Sequence, residues 1–299
     1  GQGAANNDIG WGQGPTNNSL SWGMIGEDSY GHDETNLMGS LSYIAQFGQP
    51  AIAFSWRDLL GTDPVIVLVR RDSDDAELGF KVSEITNGTL LTWVGAGNDG
   101  FVRTMYSQGN AITMQQATAS RQPLLVINGV LQLENGLPIM RRNGVNGGML
   151  MNYNVNDAVA RTFFYVGKNP LRDFILLGSS TGTGDYGYNG INGNTSTAIQ
   201  GPTLVATNQR LNLAAWSPTT RDSVYDNLLN QFLVVVQCAF NYAQTSLALG
   251  YVFSAPSGQG MVDTQELIIY ENNTDNAGKE ANSSAYWMPP SFLLEQGGG

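Results

Sequence analysis

Short runs of apolar residues, separated by turn-forming residues, recur along most of the chain. Clear examples are PVIVLVRR at 64–71, GFVRTMYS at 100–107, PLLVING at 123–129 and RTFFYVG at 161–167. The second run alternates between two kinds of side chain, as in a strand with one buried face, whereas the first is apolar enough to be buried on both faces. Their short length and their β-branched residues indicate strands rather than helices.

The same pattern continues through the second half of the chain. Further strands are predicted at 173–180, 209–216, 230–242, 246–254 and 265–271. Short helices are predicted at 41–47, 222–231 and 276–287. Many short strands joined by turns predict an all-β fold of two packed antiparallel sheets of the jelly-roll type, with a short C-terminal helix.

The beginning of the chain has a different character, rich in Gly, Asn and Trp. The phrase that contains Ile9 and Trp11 returns eleven residues later around Leu20 and Trp22. Two copies of so short a unit cannot bury an apolar face by themselves. We therefore predict an attachment or assembly arm at 1–39, with these four side chains as apolar anchors on neighbouring subunits, followed by one domain at 40–299.

Composition and charge narrow the choice of partners. Charged residues make up 13% of the chain and the net charge is −11, so neither nucleic acid nor an anionic membrane is an expected partner. No apolar run reaches the length of a membrane-spanning helix. Cys238 lies in an apolar run and is predicted to be a buried thiol. With His32 as the single histidine, we expect no transition-metal site and no cofactor.

Several motifs in their order resemble a known family. They are Arg70-Arg71-Asp72-Ser73-Asp74 at the end of an apolar strand, then Val102–Asn110, Gln115–Pro123 and Asn135–Pro138. This order is similar to that of the concanavalin A-like jelly roll found in bacteriophage virion proteins, which is distantly similar to the catalytic domain of α-L-arabinofuranosidase B. The resemblance covers about Ser40 to Trp287 and implies a concanavalin A-like jelly-roll β-sandwich.

The resemblance to virion proteins also implies a function. On this interpretation the chain is a non-enzymatic structural component of a phage particle, in a tail, a fibre or another surface part. Its partners are then other virion proteins, copies of itself and host surface glycans. Its location is the virion, after synthesis in the bacterial cytoplasm. Parts of this kind form oligomers, in which neighbours complete a segment that cannot fold alone.

A second interpretation is a carbohydrate-binding or glycoside-hydrolysing module similar to the arabinofuranosidase. A retaining glycosidase needs two carboxyl groups about 5 Å apart. Aligning RDFILLG with the family's nucleophile strand places Asp173 at the nucleophile position, although an ordinary surface residue at a strand edge is the better explanation. The matching acid position falls on Phe253 or Ser254, which carry no carboxylate, so Asp185 or Glu266 would have to replace it.

An acidic turn offers a different chemistry. Asp72, Asp74 and Asp75 follow a predicted strand, and carboxylate oxygens are the ligands that Ca²⁺ prefers. A solvated β-turn uses the same residues for their backbone hydrogen bonds. The turn is therefore a weak calcium candidate, and no metal site is expected.

A long loop rich in Gly and Asn offers sugar-binding chemistry. Its Tyr186, Tyr188 and Asn189 could stack on a sugar ring and form hydrogen bonds with its hydroxyls. The alternative is a connecting loop that packs on a neighbouring subunit.

Overall fold

The structure of the protein is a computed structural model that describes residues 41–144, 148–153, 159–169, 173–179, 189–198, 204–240, 247–250, 260–271 and 275–288. The chain divides into two units, Gly1–Ser40 and Leu41–Gly299, and every described residue belongs to the second. The domain boundary between residues 39 and 40 stays a prediction. The anchors Ile9, Trp11, Leu20 and Trp22 lie outside the described residues.

Short strands make up most of the regular structure in these ranges. The strands are β1 Ile52–Ser55, β2 Val65–Arg71, β3 Glu77–Lys81, β4 Gly100–Tyr106, β5 Thr113–Gln115, β6 Leu124–Ile127, β7 Val130–Leu131, β8 Leu133–Glu134, β9 Leu137–Pro138, β10 Met149–Met151, β11 Arg161–Lys168, β12 Phe174–Ile175, β13 Gly178–Ser179, β14 Asn189–Gly190, β15 Leu204–Leu211, β16 Ala214–Ala215, β17 Gln231–Phe240, β18 Leu247–Leu249 and β19 Asp263–Tyr270. The helices are α1 Tyr43–Phe47, α2 Val82–Thr86, α3 Thr89–Val94, α4 Arg221–Asn227 and α5 Asn276–Trp287.

Six strands form one antiparallel sheet, which we call sheet A. Their order is β1-β19-β11-β17-β15-β16. In the register of β11 with β17, Phe163 lies opposite Val236 and Tyr165 opposite Val234, so these four apolar side chains share one face of the sheet. Both faces of these two strands are buried, which explains why their sequences are apolar almost throughout rather than alternating.

The second large sheet, sheet B, packs against sheet A. Its strand order is β13-β18-β10-β5-β4-β2-β3, with β6 paired to β4 and to β7. Buried residues of sheet B such as Val67, Val102 and Met114 belong to the same hydrophobic cluster as Phe163 and Val236 of sheet A. The two sheets therefore enclose one core, and the prediction of an all-β jelly-roll sandwich with a short C-terminal helix is confirmed.

Helix α5 packs on the face of sheet A that points away from sheet B. Below the helix, the carboxylate of Glu266 on β19 pairs with the Arg57 guanidinium at 2.8 Å between Oε2 and Nε. Ser283 of α5 donates its hydroxyl to Oε1 of Glu266 at 2.9 Å, and Nη1 of Arg57 donates to Asn282 at 2.7 Å. We call these residues the α5 latch, because they join the helix to strands from both ends of the domain.

Two short helices that connect strands of sheet B were not predicted from the sequence. Helices α2 and α3 lie between β3 and β4, and they bury Ile85, Leu90 and Val94. A turn at Asn87 and Gly88 separates them, and Gly88 takes a positive φ of 93°, which favours glycine. Five- and six-residue helices carry too few turns to show a helical period in the sequence. Across the described residues, no helix is long and apolar enough to cross a membrane.

Candidate functional site

The backbone around Asp173 is fixed from two sides at the start of β12. Nη1 of Arg142 donates to the Asp173 carbonyl at 2.9 Å, and the Gly260 amide donates to the same oxygen at 3.4 Å. In the pairing of β12 with β14, Phe174 lies opposite Gly190. A Cβ on Gly190 would come within 2.3 Å of the Phe174 ring, so glycine permits this close pairing, which sets the position of Asp173.

The turn that follows β14 binds two carboxylates through neighbouring amides. The Asn192 amide donates to Oδ1 of Asp173 at 3.3 Å, and the Gly193 amide donates to Oδ1 of Asp222 at 2.5 Å. Gly193 has a φ of 68°, a backbone conformation that glycine adopts without strain. The turn therefore brings together two aspartates that are far apart in the sequence.

Helix α4 supplies the second aspartate. The helix begins after Thr220, whose side chain accepts the Ser223 amide as an N-cap. The Asp222 amide donates to the carbonyl of Asn194 at 3.0 Å, and the Ile191 amide donates to the carbonyl of Arg221 at 3.1 Å. These backbone bonds fasten the first turn of α4 to the turn after β14, so the position of Asp222 does not depend on its side chain alone.

The turn after β14 sets an upper limit on the separation of the two carboxylates. Because their amide donors belong to consecutive residues, the two Oδ1 atoms are at most about 10 Å apart. Glycosidases place their two carboxyl groups about 5–5.5 Å apart when they retain configuration and about 6.5–9.5 Å apart when they invert it. Asp173 and Asp222 are both half-buried, so each is anchored yet open to solvent.

Tyr225 adds a hydroxyl group to the same site. It lies three residues after Asp222 on α4, hence on the same side of the helix, and its side chain is buried. Burial, together with the negative charges of Asp173, Asp226 and Asp222, raises the pKa of the Tyr225 hydroxyl. Tyr225 therefore stays protonated near neutral pH and can donate a hydrogen bond.

Several residues proposed from the sequence lie outside this arrangement. Asp185, Tyr186 and Tyr188 are not among the described residues, and for Asn189 only the backbone, in β14, is described. Glu266 belongs to the α5 latch, where Arg57, Ser55 and Ser283 occupy its oxygens.

The acidic turn after β2 uses its carboxylates internally. Asp74 pairs with Arg71 at 2.7 Å, Asp75 pairs with Arg70 at 2.6 Å, and Asp72 accepts the Asp99 amide at 3.0 Å. Within the described ranges, no group of three His, Cys, Asp or Glu side chains is placed to hold a metal ion.

The sequence drew attention to Asp173 but not to Asp222 or Tyr225. Asp222 lies at the start of a predicted helix, where an aspartate is common because it favours the helix N-terminus. Nothing in the spacing of the two aspartates links them, since their proximity comes from the turn after β14. Tyr225 carries no sequence signal beyond an ordinary buried position in the helix.

Comparison with known proteins adds a distant likeness in fold. No family model matches the chain, and no curated protein matches it. Among solved structures the chain is similar to an arabinofuranosidase complexed with arabinofuranosyl-α-1,2-xylobiose, with 12% sequence identity and a TM-score of 0.41. The match covers 80% of this chain and 62% of that one, so the chain spans less than two thirds of the length of that protein.

These findings correct one prediction. The prediction of a non-enzymatic structural component of a phage particle is wrong, because the structural match is to an arabinofuranosidase and none of the matches is a virion protein. The β-sandwich implied by the resemblance agrees with the fold, whereas its link to phage proteins finds no support. The expected partners and the expected location in a virion stay predictions.

Proposed function

We propose that this chain is a carbohydrate-active β-sandwich module that hydrolyses glycosidic bonds, with Asp173 and Asp222 as its two carboxylates. The observation that supports the proposal is the binding of both carboxylates by consecutive amides of one turn, at Asn192 and Gly193. Glycoside hydrolysis needs two carboxyl groups within about 10 Å of each other, and the turn keeps these two within that limit. The likeness to the arabinofuranosidase is too distant to assign roles to residues, so the proposal rests on this geometry.

The three side chains have distinct tasks in such a reaction. One carboxyl group protonates the leaving oxygen, and the other acts as the nucleophile or activates a water molecule. The protonated Tyr225 hydroxyl donates a hydrogen bond to a substrate oxygen or to the carboxylate that carries the negative charge. Partial burial of the two aspartates excludes some water and strengthens these electrostatic interactions.

Hydrolysis of aryl glycosides tests the proposal. The full chain is assayed for p-nitrophenol release from a panel of furanosides and pyranosides, beginning with p-nitrophenyl α-L-arabinofuranoside. We expect Asp173→Asn and Asp222→Asn each to lower kcat at least about 100-fold. Asp226→Asn is the matched control, because Asp226 lies on α4 and is exposed, and it should retain activity within about twofold.

Two results would overturn the proposal. One is a wild-type chain that releases no p-nitrophenol from any member of the panel. The other is activity in Asp173→Asn and Asp222→Asn equal to that of Asp226→Asn. Thermal unfolding of each variant shows whether a loss of activity reflects a loss of fold.

A further inference from the structure

A polar cleft lies on the outer face of sheet A, beside the beginning of α5. Its volume is about 250 Å³, and its lining includes Asn208 and Arg210 of β15, Val235 and Gln237 of β17, and Asn276 and Glu280 of α5. It shares no residue with the Asp173–Asp222 site.

Strand pairing explains why these side chains meet. In the register of β15 with β17, Asn208 lies opposite Gln237 and Arg210 lies opposite Val235. Residues two apart on a strand point to the same face, so the four side chains form one patch. A register shift between Ala206 and Asn208 leaves Thr207 unpaired, and such a bulge turns the following side chains. The bulge thus directs Asn208 and Arg210 to the side that α5 borders.

Glu280 closes the cleft from the helix. Its side chain is 4% exposed, and its Oε2 accepts from Nε of Arg210 at 2.7 Å. Its second oxygen, Oε1, is buried and has no hydrogen-bond partner among the described residues. Burying a carboxylate oxygen without a hydrogen-bond donor costs free energy. A ligand that donates a hydrogen bond to this atom would remove that cost.

Other side chains that line the cleft also have donor and acceptor atoms that the described residues do not use. In the described part of the chain, the side-chain amides of Asn208 and Gln237 form no hydrogen bond. Arg210 uses Nε for Glu280 and Nη2 for the Leu213 carbonyl, which leaves Nη1. The cleft therefore offers two carboxamides, one guanidinium nitrogen and one carboxylate oxygen, beside the apolar surface of Val235.

A neutral, polyhydroxylated ligand satisfies all of these groups. A hydroxyl can donate to Glu280 and at the same time accept from Arg210 or from a carboxamide. The Glu280 carboxylate disfavours an anion, and the Arg210 guanidinium disfavours a cation. The volume corresponds to about eight water molecules, which suits a single sugar ring. We propose that the cleft binds one neutral sugar residue, independently of hydrolysis at Asp173 and Asp222.

Side-chain NMR signals of the full chain test this second site. The ¹⁵N-labelled protein is titrated with L-arabinose, D-xylose and D-glucose up to about 50 mM, because free monosaccharides cannot be hydrolysed. The side-chain amide signals of Asn208 and Gln237 should shift with at least one of these sugars. Gln237→Leu should raise the Kd of that sugar at least about tenfold.

A matched control and a second variant keep the result interpretable. Gln115→Leu changes an exposed glutamine on β5 of sheet B and should leave the Kd unchanged. Glu280→Gln keeps the size of the side chain and should also weaken binding about tenfold. The proposal is overturned if neither amide signal shifts with any of the three sugars, or if Gln237→Leu binds as tightly as Gln115→Leu. Asp173→Asn should bind with unchanged Kd, which separates this proposal from the proposed hydrolysis.

Discussion

The carboxylate of Asp74 lies in an exposed turn, where the guanidinium of Arg71 donates to both of its oxygens at 2.7 Å. These hydrogen bonds, followed by one from the Ala76 amide, lower the pKa of Asp74 from 3.8 to about 2. The charged form is thus favoured in the folded state. The stabilisation is present above pH 3.8 and is lost as the pH falls through about 2.

An NMR titration of the Asp74 carboxyl carbon checks this effect. We expect a midpoint near pH 2 in the folded chain, and a return toward 3.8 in Arg71→Gln, because the two strongest donors are removed. High salt should move the wild-type midpoint in the same direction, since the pair is exposed. A wild-type midpoint near 3.8 would contradict the Arg71 pairing.

At the scale of elements, the α5 latch joins the helix to sheet A. Arg57 follows β1, Glu266 lies on β19 and Ser283 lies on α5, so three elements share one ion pair. The side chains of Arg57 and Glu266 are 8% and 0% exposed. Removing one partner of such a buried pair leaves the other charged and without a counter-ion, and this is strongly destabilising.

Substitution of Glu266 measures the strength of the latch. Glu266→Gln leaves Arg57 unpaired and should lower the free energy of unfolding by about 3–5 kcal/mol. Arg103→Gln is the control, because Arg103 pairs with Glu77 at 3.6 Å on a more exposed surface, and it should cost less than about 1 kcal/mol. Urea unfolding at neutral pH gives both values. Equal losses in the two variants would show that the latch is no stronger than a surface pair.

The sequence predicts the strands of this fold far better than it predicts the Asp173–Asp222 site. The apolar runs that became β11 and β17 carry a strong signal, because both faces of these strands are buried. Helices α2 and α3 carry a weak signal, since each makes little more than one turn. Asp222 carries no sequence signal that points to Asp173. Long-range contacts between the turn after β14 and α4 bring the two residues together.

At the scale of the whole molecule, the core that the described residues form belongs to the second unit of the chain. Its buried apolar residues run from Tyr43 in α1 to Met288 just after α5. Both ends of this range meet at Arg57, whose guanidinium lies 4.9 Å from the centre of the Tyr43 ring and 4.8 Å from that of Tyr286. The sandwich is therefore closed by helices α1 and α5.

Two truncations test this closure. Deletion of residues 1–40 should leave Tm within about 3 °C of that of the full chain, because the described core lies outside the deleted unit. Deletion from residue 275 onward removes α5, uncovers Glu266 and the face of sheet A, and should abolish cooperative unfolding. Calorimetry of both truncated chains measures whether each unfolds cooperatively and at what Tm. A first truncation that unfolds as readily as the second would show that the core needs residues 1–40.

The meeting of Arg57 with Glu266 also constrains how the protein is made. The two residues are 209 positions apart, and among the described strands of sheet A, β1 pairs with β19 alone. At translation rates of about 5–20 residues per second, Glu266 is synthesised on the order of 10–40 s after Arg57. Until β19 is made, Ile52 and Phe54 lack their partners Ile269 and Leu267. Sheet A can therefore be completed only after most of the chain has left the ribosome, and a chaperone that shields β1 should raise the yield of folded protein.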